Sequence, residues 1–546
     1  MVAPCLIPEP VSVEEKVEGG FLLSERTRIG CESGLFPELS RLQERLRAAS
    51  GLELPRVTEL SKVSTGEGVI WLAVDPTLRE EEYRLEVTPS KITVTGGSAA
   101  GVTRGCSTLV RIFPTQVYRQ APVVTAPWVV PTLTIKDWPQ FSWRGLLVDV
   151  ARHFQPKREL LRIIDLMGVL QLNVMHLHLT DDQGWRIEID GYPKLTETAS
   201  WRKESQQGTS DRFDGRPHGG YYTQDDLREI VAYASERHID VMPEVDLPGH
   251  MEAAIAAYPQ FGTSRKPAEV RTKWGISKNV LNLDPETVEF VEETLRQVTE
   301  IFPFEFISIG GDECPTNGWE ADPGTQARKK ELGIETDRDV QAWYTKLATD
   351  LLAAKGRRTM AWDEVLTGPV DDSVLIAAWR GQKAIDVALA RGLDVVACPT
   401  THCYFDYRQS ESPEEPVPVG IPIDLERVYS FNPVPEGGEE PGRVLGGQAN
   451  VWSEHLDSSR SFDYAAFPRL AALAEVLWSG PGGNFEEFEE RLPSLLARLQ
   501  VMGVDYRPLD GPLPWQKRPG VPGYFGTLEG HREWYAKQTA DLVVNP

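Results

Sequence analysis

Positive charge is in short supply in this chain. Its 57 Lys and Arg face 81 Asp and Glu, a formal net charge of −24, and a field of that sign repels nucleic-acid backbones and anionic membrane surfaces alike. Neither is an expected partner. Long apolar runs are also missing: the longest uncharged candidate, Ala121 to Ile135, is interrupted by Pro122, Pro127 and Pro131, whereas a membrane helix needs roughly 18 apolar residues in a row. The six cysteines, Cys5, Cys31, Cys106, Cys314, Cys398 and Cys403, are scattered without a C-x-x-C pair, which argues for free thiols over a disulfide framework or a zinc site. The first cation is Lys16 and no apolar h-region follows it, so the expected location is cytoplasmic, or secreted if the true start lies upstream.

What is present is an ordinary globular composition, 41% hydrophobic and 25% charged, over a length that accommodates several domains. Residues 1–135 mix element types. A helix is expected from Pro37 to Ala49, with Leu39, Leu42 and Leu46 on one face and Gly51 as its stop. A strand follows at Gly68–Val74, then a hairpin in which Tyr83, Leu85 and Val87 precede Ile92 and Val94, then a helix near Ser98 to Ile112. This predicts a small α+β accessory domain, left through the Pro-rich segment from Ala121 to Pro139.

Beyond Phe141 the pattern changes to eight apolar runs that each end in polar or aromatic residues: RGLLVDVARH, LNVMHLHLTDD, IDVMPEVDLPGH, FEFISIGGDE, RRTMAWDE, SVLIAAWRG, DVVACPTTHCYFD and VLGGQANVWSE. Amphipathic segments such as Pro156–Leu170 and Thr223–Glu236 separate several of them. Strand and helix alternating eight times predicts an α/β fold of the (β/α)₈ TIM-barrel type over 136–480, with functional side chains at the strand C-termini. The barrel is expected to be irregular, because too few residues separate the fifth and sixth runs for a helix and Arg408–Arg443 is long and rich in Pro, Gly and Glu. Phe462–Trp478 reads as the last barrel helix and Phe485–Met502 as a helix interrupted by Pro493; 481–546 forms a C-terminal extension that is loop-like from Gly503.

The sharpest local feature is Ile307-Ser308-Ile309-Gly310-Gly311-Asp312-Glu313, an apolar strand turning on two glycines into two carboxylates. A glycosidase that uses its own nucleophile needs two carboxylates roughly 5 Å apart across the sugar. Neighbouring residues do not easily flank a ring, but they can work side by side, Glu313 protonating the leaving oxygen while Asp312 steadies a nucleophile that belongs to the substrate. Other strand ends carry Arg152-His153, Asp181-Asp182, Asp246 with His250, Trp362-Asp363-Glu364, Trp379, Tyr404 with Asp406, and Trp452 with Glu454. Tryptophan walls, a ring of carboxylates and one Arg describe a sugar pocket.

These residues resemble the β-N-acetylhexosaminidases of glycoside hydrolase family 20, on DVARHF (149–154), HLHLTDDQGWRIEI (176–189), PEVDLPGH (243–250), GGDE (310–313), WDE (362–364), Tyr404-Phe405-Asp406 and Trp452-Ser453-Glu454. The resemblance implies an exo-acting, retaining enzyme for terminal β-linked N-acetylglucosamine, with N-acetylgalactosamine left open as an alternative, whose nucleophile is the substrate's own acetamido carbonyl and whose intermediate is an oxazolinium ion. It implies Glu313 as general acid and then base, Asp312 as the group that orients the acetamido, and Tyr404 as the donor to its oxygen. It further implies Trp343, Trp362 and Trp452 as pocket walls, Arg152, Asp406 and Glu454 as hydroxyl ligands, Asp181 and His250 as a supporting network with Asp246 a weaker candidate, and no cofactor or metal. Its partner is an oligosaccharide or glycoconjugate ending in β-N-acetylhexosamine. Two other readings stand beside it. One is a metal-dependent amidohydrolase-type barrel using His176 and His178 with Asp181, Glu244, Asp246 and His250; the other is a glycan-binding barrel without turnover.

Overall fold

The computed structural model describes residues 5–123, 127–435 and 441–543, with the side chains of Val17 and Glu18 left aside. The first part of the chain builds one mixed sheet of seven strands, β1 Ser12–Leu22, β2 Thr27–Cys31, β3 Arg56–Val57, β4 Gly68–Val74, β5 Tyr83–Val87, β6 Lys91–Gly96 and β7 Val129–Asp137, in the order β1-β7-β5-β6-β4-β2-β3. Helices Phe36–Ser50 and Ala99–Ile112 lie against it, burying Leu39, Leu42, Leu46, Val102 and Leu109. Ser98 caps the second helix by accepting from Ala100 N–H. The helix, strand and hairpin expected from the sequence are all present. Two departures occur. Strands β1, β2 and β3 were not expected, and the segment read as an exit connection carries β7, which pairs with β5 over Leu133–Asp137.

Eight parallel strands then close into a barrel: β8 Trp143–Asp149, β9 Val174–His178, β10 Asp240–Glu244, β11 Phe306–Ser308, β12 Arg358–Trp362, β13 Leu375–Ala378, β14 Val395–Ala397 and β15 Val444–Val451, with β15 pairing back onto β8. Each of the eight apolar runs supplies one strand. The runs are unbroken because a barrel strand is covered on both sides, by the interior and by the outer helices; every residue of β8 is buried. Helices Lys157–Val169, Gln224–Ser235, Pro285–Ile301 and Arg338–Ala354 flank the first strands, and Thr223 begins the second of these with a reciprocal capping box to Asp226. Only a short 3₁₀ turn, Asp363–Thr367, joins β12 to β13, as the short spacing demanded.

The C-terminal third corrects three expectations. The helix expected over 462–478 is two helices, Ser459–Ala466 and Arg469–Ser479, because Pro468 has no N–H to continue the first and holds Phe467 extended. Phe485–Val501 is one continuous helix despite Pro493; the carbonyl that Pro493 leaves unpaired belongs to Glu489 on the same exposed face, while Phe488, Leu492, Leu495 and Leu499 anchor the other. The tail from Gly503 is not all loop, since Leu528–Gln538 forms a helix that buries Tyr535. No helix among the described residues is long and apolar enough to cross a membrane.

Candidate functional site at the C-terminal mouth of the barrel

The site is built from the ends of the strands inward. At the end of β8, Asp149 accepts from the backbone N–H groups of Ala151 (2.9 Å) and Arg152 (3.0 Å) and, across the barrel seam, from that of Ser453 (2.9 Å). It thereby fixes the turn that projects Arg152. The guanidinium of Arg152 meets Asp181 at 2.7 Å and lies 5.0 Å from the centroid of the Trp452 ring. Burial alone would weaken its hold on the proton, but Asp181, Glu454 and Asp149 raise its pKa well above the usual value.

Beneath Arg152, β9 and β10 form a polar floor. His178 reaches Glu244 with Nδ1 (3.1 Å) and Asp181 with Nε2 (3.1 Å), His176 pairs with Glu244, and Glu244 also accepts from Ser308 Oγ (3.1 Å) and Trp362 Nε1 (3.2 Å). Burial pushes the Glu244 carboxyl up, yet the two imidazoles hold it well below the carboxylate range. His250, after β10, turns its Nδ1 to Asp181 (3.4 Å) and its Nε2 to Asp312 (3.9 Å) and Glu313 (3.7 Å). Desolvation opposes its charge, and Asp181, Asp312 and Asp246 overcome it, so its pKa lies well above the ordinary imidazole value.

At the end of β11 the chain turns through Gly310 (φ 62°) and Gly311 (φ 85°) into Asp312 and Glu313. The two carboxylates differ in setting. Asp312 is largely enclosed and Glu313 stands at the rim with 36% of its side chain exposed. Burial, then the charge of Glu313, raise the Asp312 pKa to about 7 against the pull of His250. Asp246 and Glu364 close the group from either side, both raised well above the carboxylate range, first by burial and then by neighbouring carboxylates that include Asp312. Such a cluster binds protons more tightly than isolated carboxylates do, a setting in which acid and base work can be divided among carboxyl groups.

An aromatic wall faces these acids. Trp362 lies over His176 with ring centroids 5.8 Å apart, Trp452 is 5.9 Å from Trp362, Tyr404 is 6.2 Å from Trp452, and Tyr404 stacks on Trp379 at 6.1 Å. Trp379 is locked by donating Nε1–H to Glu364 (2.8 Å), and its backbone N–H by donating to Asp363 (2.8 Å). On the far side Asp406 and Glu454 face one another and Arg152; burial and their mutual charge raise the Asp406 pKa well above the ordinary value, and burial raises that of Glu454.

The structure thus gathers Arg152, Asp181, His250, Asp312, Glu313, Trp362, Tyr404, Asp406, Trp452 and Glu454 at one mouth. Trp343 is the exception and is corrected. It lies within the outer helix Arg338–Ala354, its ring meets Tyr344 at 5.1 Å, and it lines a separate surface cavity with Leu332, Ile334 and Val370. The wall position is held by Trp379. The distinguishing signal was in the sequence, since Trp379 directly follows the apolar run of β13, whereas Trp343 precedes β12 by a helix. His178, Glu244 and Glu364 also belong to the network.

Several buried polar atoms of this group have no hydrogen-bond partner among the described residues: Asp246 Oδ1, both His250 nitrogens, Asp312 Oδ1 and Asp406 Oδ1. Buried groups of this kind require solvent or ligand. Three overlapping triads, His178-Asp181-Asp246, Asp181-Asp182-His250 and His250-Asp312-Glu313, bring ligand atoms within 4.8 Å of one another. Their charges are already matched from within, by Arg152 on Asp181 and by His178 between Glu244 and Asp181.

The sequence pattern described as Glycosyl hydrolase family 20, catalytic domain, matches residues 141–481, and Glycosyl hydrolase family 20, domain 2, matches residues 3–138. A beta-hexosaminidase of Porphyromonas gingivalis is 36% identical over 524 residues, covering 94% of this chain; the chain spans 65% of that relative's length. A beta-hexosaminidase of Akkermansia muciniphila is 36% identical over 486 residues, 87% of this chain and 92% of the relative. Among solved structures, an exo beta-N-acetylglucosaminidase of Vibrio harveyi in complex with N-acetylglucosamine superposes with a TM-score of 0.80 at 30% identity, covering 93% of this chain and 79% of that one.

Proposed function

The chain belongs to glycosyl hydrolase family 20, and from that premise we propose that it is an exo-acting, retaining β-N-acetylhexosaminidase that removes terminal β-linked N-acetylglucosamine from oligosaccharides or glycoconjugates. The observation that carries the proposal is the side-by-side pair Asp312 and Glu313 above His250. Consecutive carboxylates do not straddle a sugar ring as nucleophile and acid do, at roughly 5 Å on opposite faces. The nucleophile is therefore assigned to the substrate: its 2-acetamido carbonyl oxygen attacks C1 while Glu313 gives its proton to the departing glycosidic oxygen. Asp312 accepts the acetamido N–H and balances the positive charge that grows on the oxazolinium ring, and the Tyr404 hydroxyl donates to the attacking carbonyl oxygen. Glu313, now a carboxylate, takes a proton from the water that opens the ring at C1, so the anomeric configuration is retained.

The surroundings support this division of work. Trp362, Trp379 and Trp452 keep competing water away from the acetamido group, and His250 joins Asp312 to the charged network through Asp181. Arg152 offers its guanidinium, and Asp406 and Glu454 their carboxyl groups, to ring hydroxyls. The test is hydrolysis of a chromogenic β-N-acetylglucosaminide beside the matching β-glucoside, each with and without EDTA. Turnover of the first alone, unchanged by chelator, is expected. Equal cleavage of both sugars would place the nucleophile on the protein, loss with EDTA would favour the metal reading, and binding without turnover the glycan-binding one.

A further inference from the structure

The aromatic wall does not end at Trp379. Its rings continue to Trp534, whose centroid lies 5.8 Å from that of Trp379. Along the series Trp362, Trp379 and Trp534 the exposure rises from 1% to 7% to 36%. The ring contacts run from Trp362 through Trp452, Tyr404 and Trp379 to Trp534, so an aromatic series connects the pocket wall to a ring at the surface. Its outermost member lies on the C-terminal helix Leu528–Gln538, outside the barrel altogether.

This helix is fastened to the strand ends. Tyr535, buried beside Trp534, donates its hydroxyl to the Trp379 carbonyl (2.9 Å) and accepts from the Thr400 N–H (3.1 Å). His531 meets Thr400 Oγ1 at 2.6 Å and lies parallel to the Trp534 ring at 5.9 Å. Arg380, directly after Trp379, donates to the Gln538 carbonyl at 2.8 Å. Upstream, Tyr524 and Gly526 donate backbone N–H to Pro418 (2.7 Å) and Gly420 (2.9 Å). The strap is therefore positioned, and the half-exposed face of Trp534 is held in place at the rim. Tyr407, whose ring touches both Tyr404 and His531, lies within electrostatic reach of Glu313 and Tyr535. The strap accordingly borders the side on which Glu313 protonates the departing oxygen.

We propose that the C-terminal strap is part of the substrate site and that Trp534 is the platform on which the leaving-group sugar stacks, an assignment that rests on the glycosidase reading above. A pyranose presents an apolar face of C–H groups to such a ring, and an exposed indole already held by its neighbours loses little entropy on binding it.

The test uses the full chain with Glu313→Gln, so that sugars bind without rapid turnover. Calorimetry gives the dissociation constants of N-acetylglucosamine and of its β-1,4-linked disaccharide. Adding Trp534→Ala should raise the disaccharide constant about tenfold relative to that of the monosaccharide, and Trp534→Phe should restore most of the difference. Equal weakening of both sugars would overturn the proposal, because Trp534 would then act only by bracing Trp379; so would no change in either. Failure of the Glu313→Gln parent to bind N-acetylglucosamine would instead overturn the glycosidase reading.

Discussion

A Cβ placed on Gly310 would lie 1.3 Å from Asp246 Oδ1. The turn that presents Asp312 and Glu313 is thus packed directly on the neighbouring strand end, and its φ of 62° is one that side chains resist. Gly310→Ala is expected to displace the carboxylate pair and to lower kcat/KM by about a hundredfold or more. Gly311→Ala shares the backbone strain, with φ 85°, but meets only Val365 Cγ1 at 3.3 Å and the Leu247 carbonyl at 3.9 Å, and should lose less. Comparable, mild losses for the two variants would mean that the turn does not position the acids.

Asp312 should govern the acid side of the pH profile. Its pKa of about 7 lies above the ordinary 3.8, chiefly through burial, and the proposed role needs the ionised form, so kcat/KM should fall as pH drops below about 7. Stability runs the other way. A carboxyl with a raised folded-state pKa contributes stability that is complete below about pH 4 and is lost as pH rises through about 7. Asp312→Asn should therefore cut turnover by about a hundredfold to a thousandfold yet melt at higher temperature than the parent at pH 8, with the difference shrinking toward pH 4. Near-normal turnover would remove Asp312 from the reaction.

Glu313 at the rim is the proposed acid, and acid help matters most when the leaving group is poor. Glu313→Gln should lose at least about tenfold more activity on the N-acetylglucosamine disaccharide than on an aryl glycoside with an activated phenol. Equal losses on the two substrates would show that Glu313 does not protonate the leaving oxygen.

The barrel was legible because each strand is buried on both faces, which leaves an unbroken apolar run, and because a functional strand end changes abruptly to charge, as at Ile309-Gly310-Gly311-Asp312. Strand β1 was not legible. It is an edge strand paired only with β7, and its sequence SVEEKVEGGFL alternates poorly and carries charge that suits an edge. The helix Leu528–Gln538 gave no signal for a related reason: Tyr535 is its only buried residue, so no apolar stripe exists to find. Its importance comes from where it docks, and docking of a distant segment leaves no local pattern. Trp343 shows the limit of carrying a tryptophan over by resemblance without asking whether it stands at a strand end.

The joint between the accessory sheet and the barrel supplies a prediction independent of the active site. Glu81, in the turn before β5, meets Arg144 of β8 at 2.6 Å and Arg104 of the helix Ala99–Ile112 at 2.8 Å. Burial would raise its pKa, but the two guanidiniums bring it down to about 2. Because the folded-state value is depressed, this contribution to stability is present above the unfolded value near 4.5 and is lost as pH falls toward about 2. Glu81→Gln leaves two buried guanidiniums without their anion and should cost about 3 kcal/mol at pH 7, with the gap to the parent closing on acidification. Denaturant unfolding followed from pH 7 to pH 3 measures this; a gap that stays constant over that range would show that the two Arg–Glu contacts do not hold the joint.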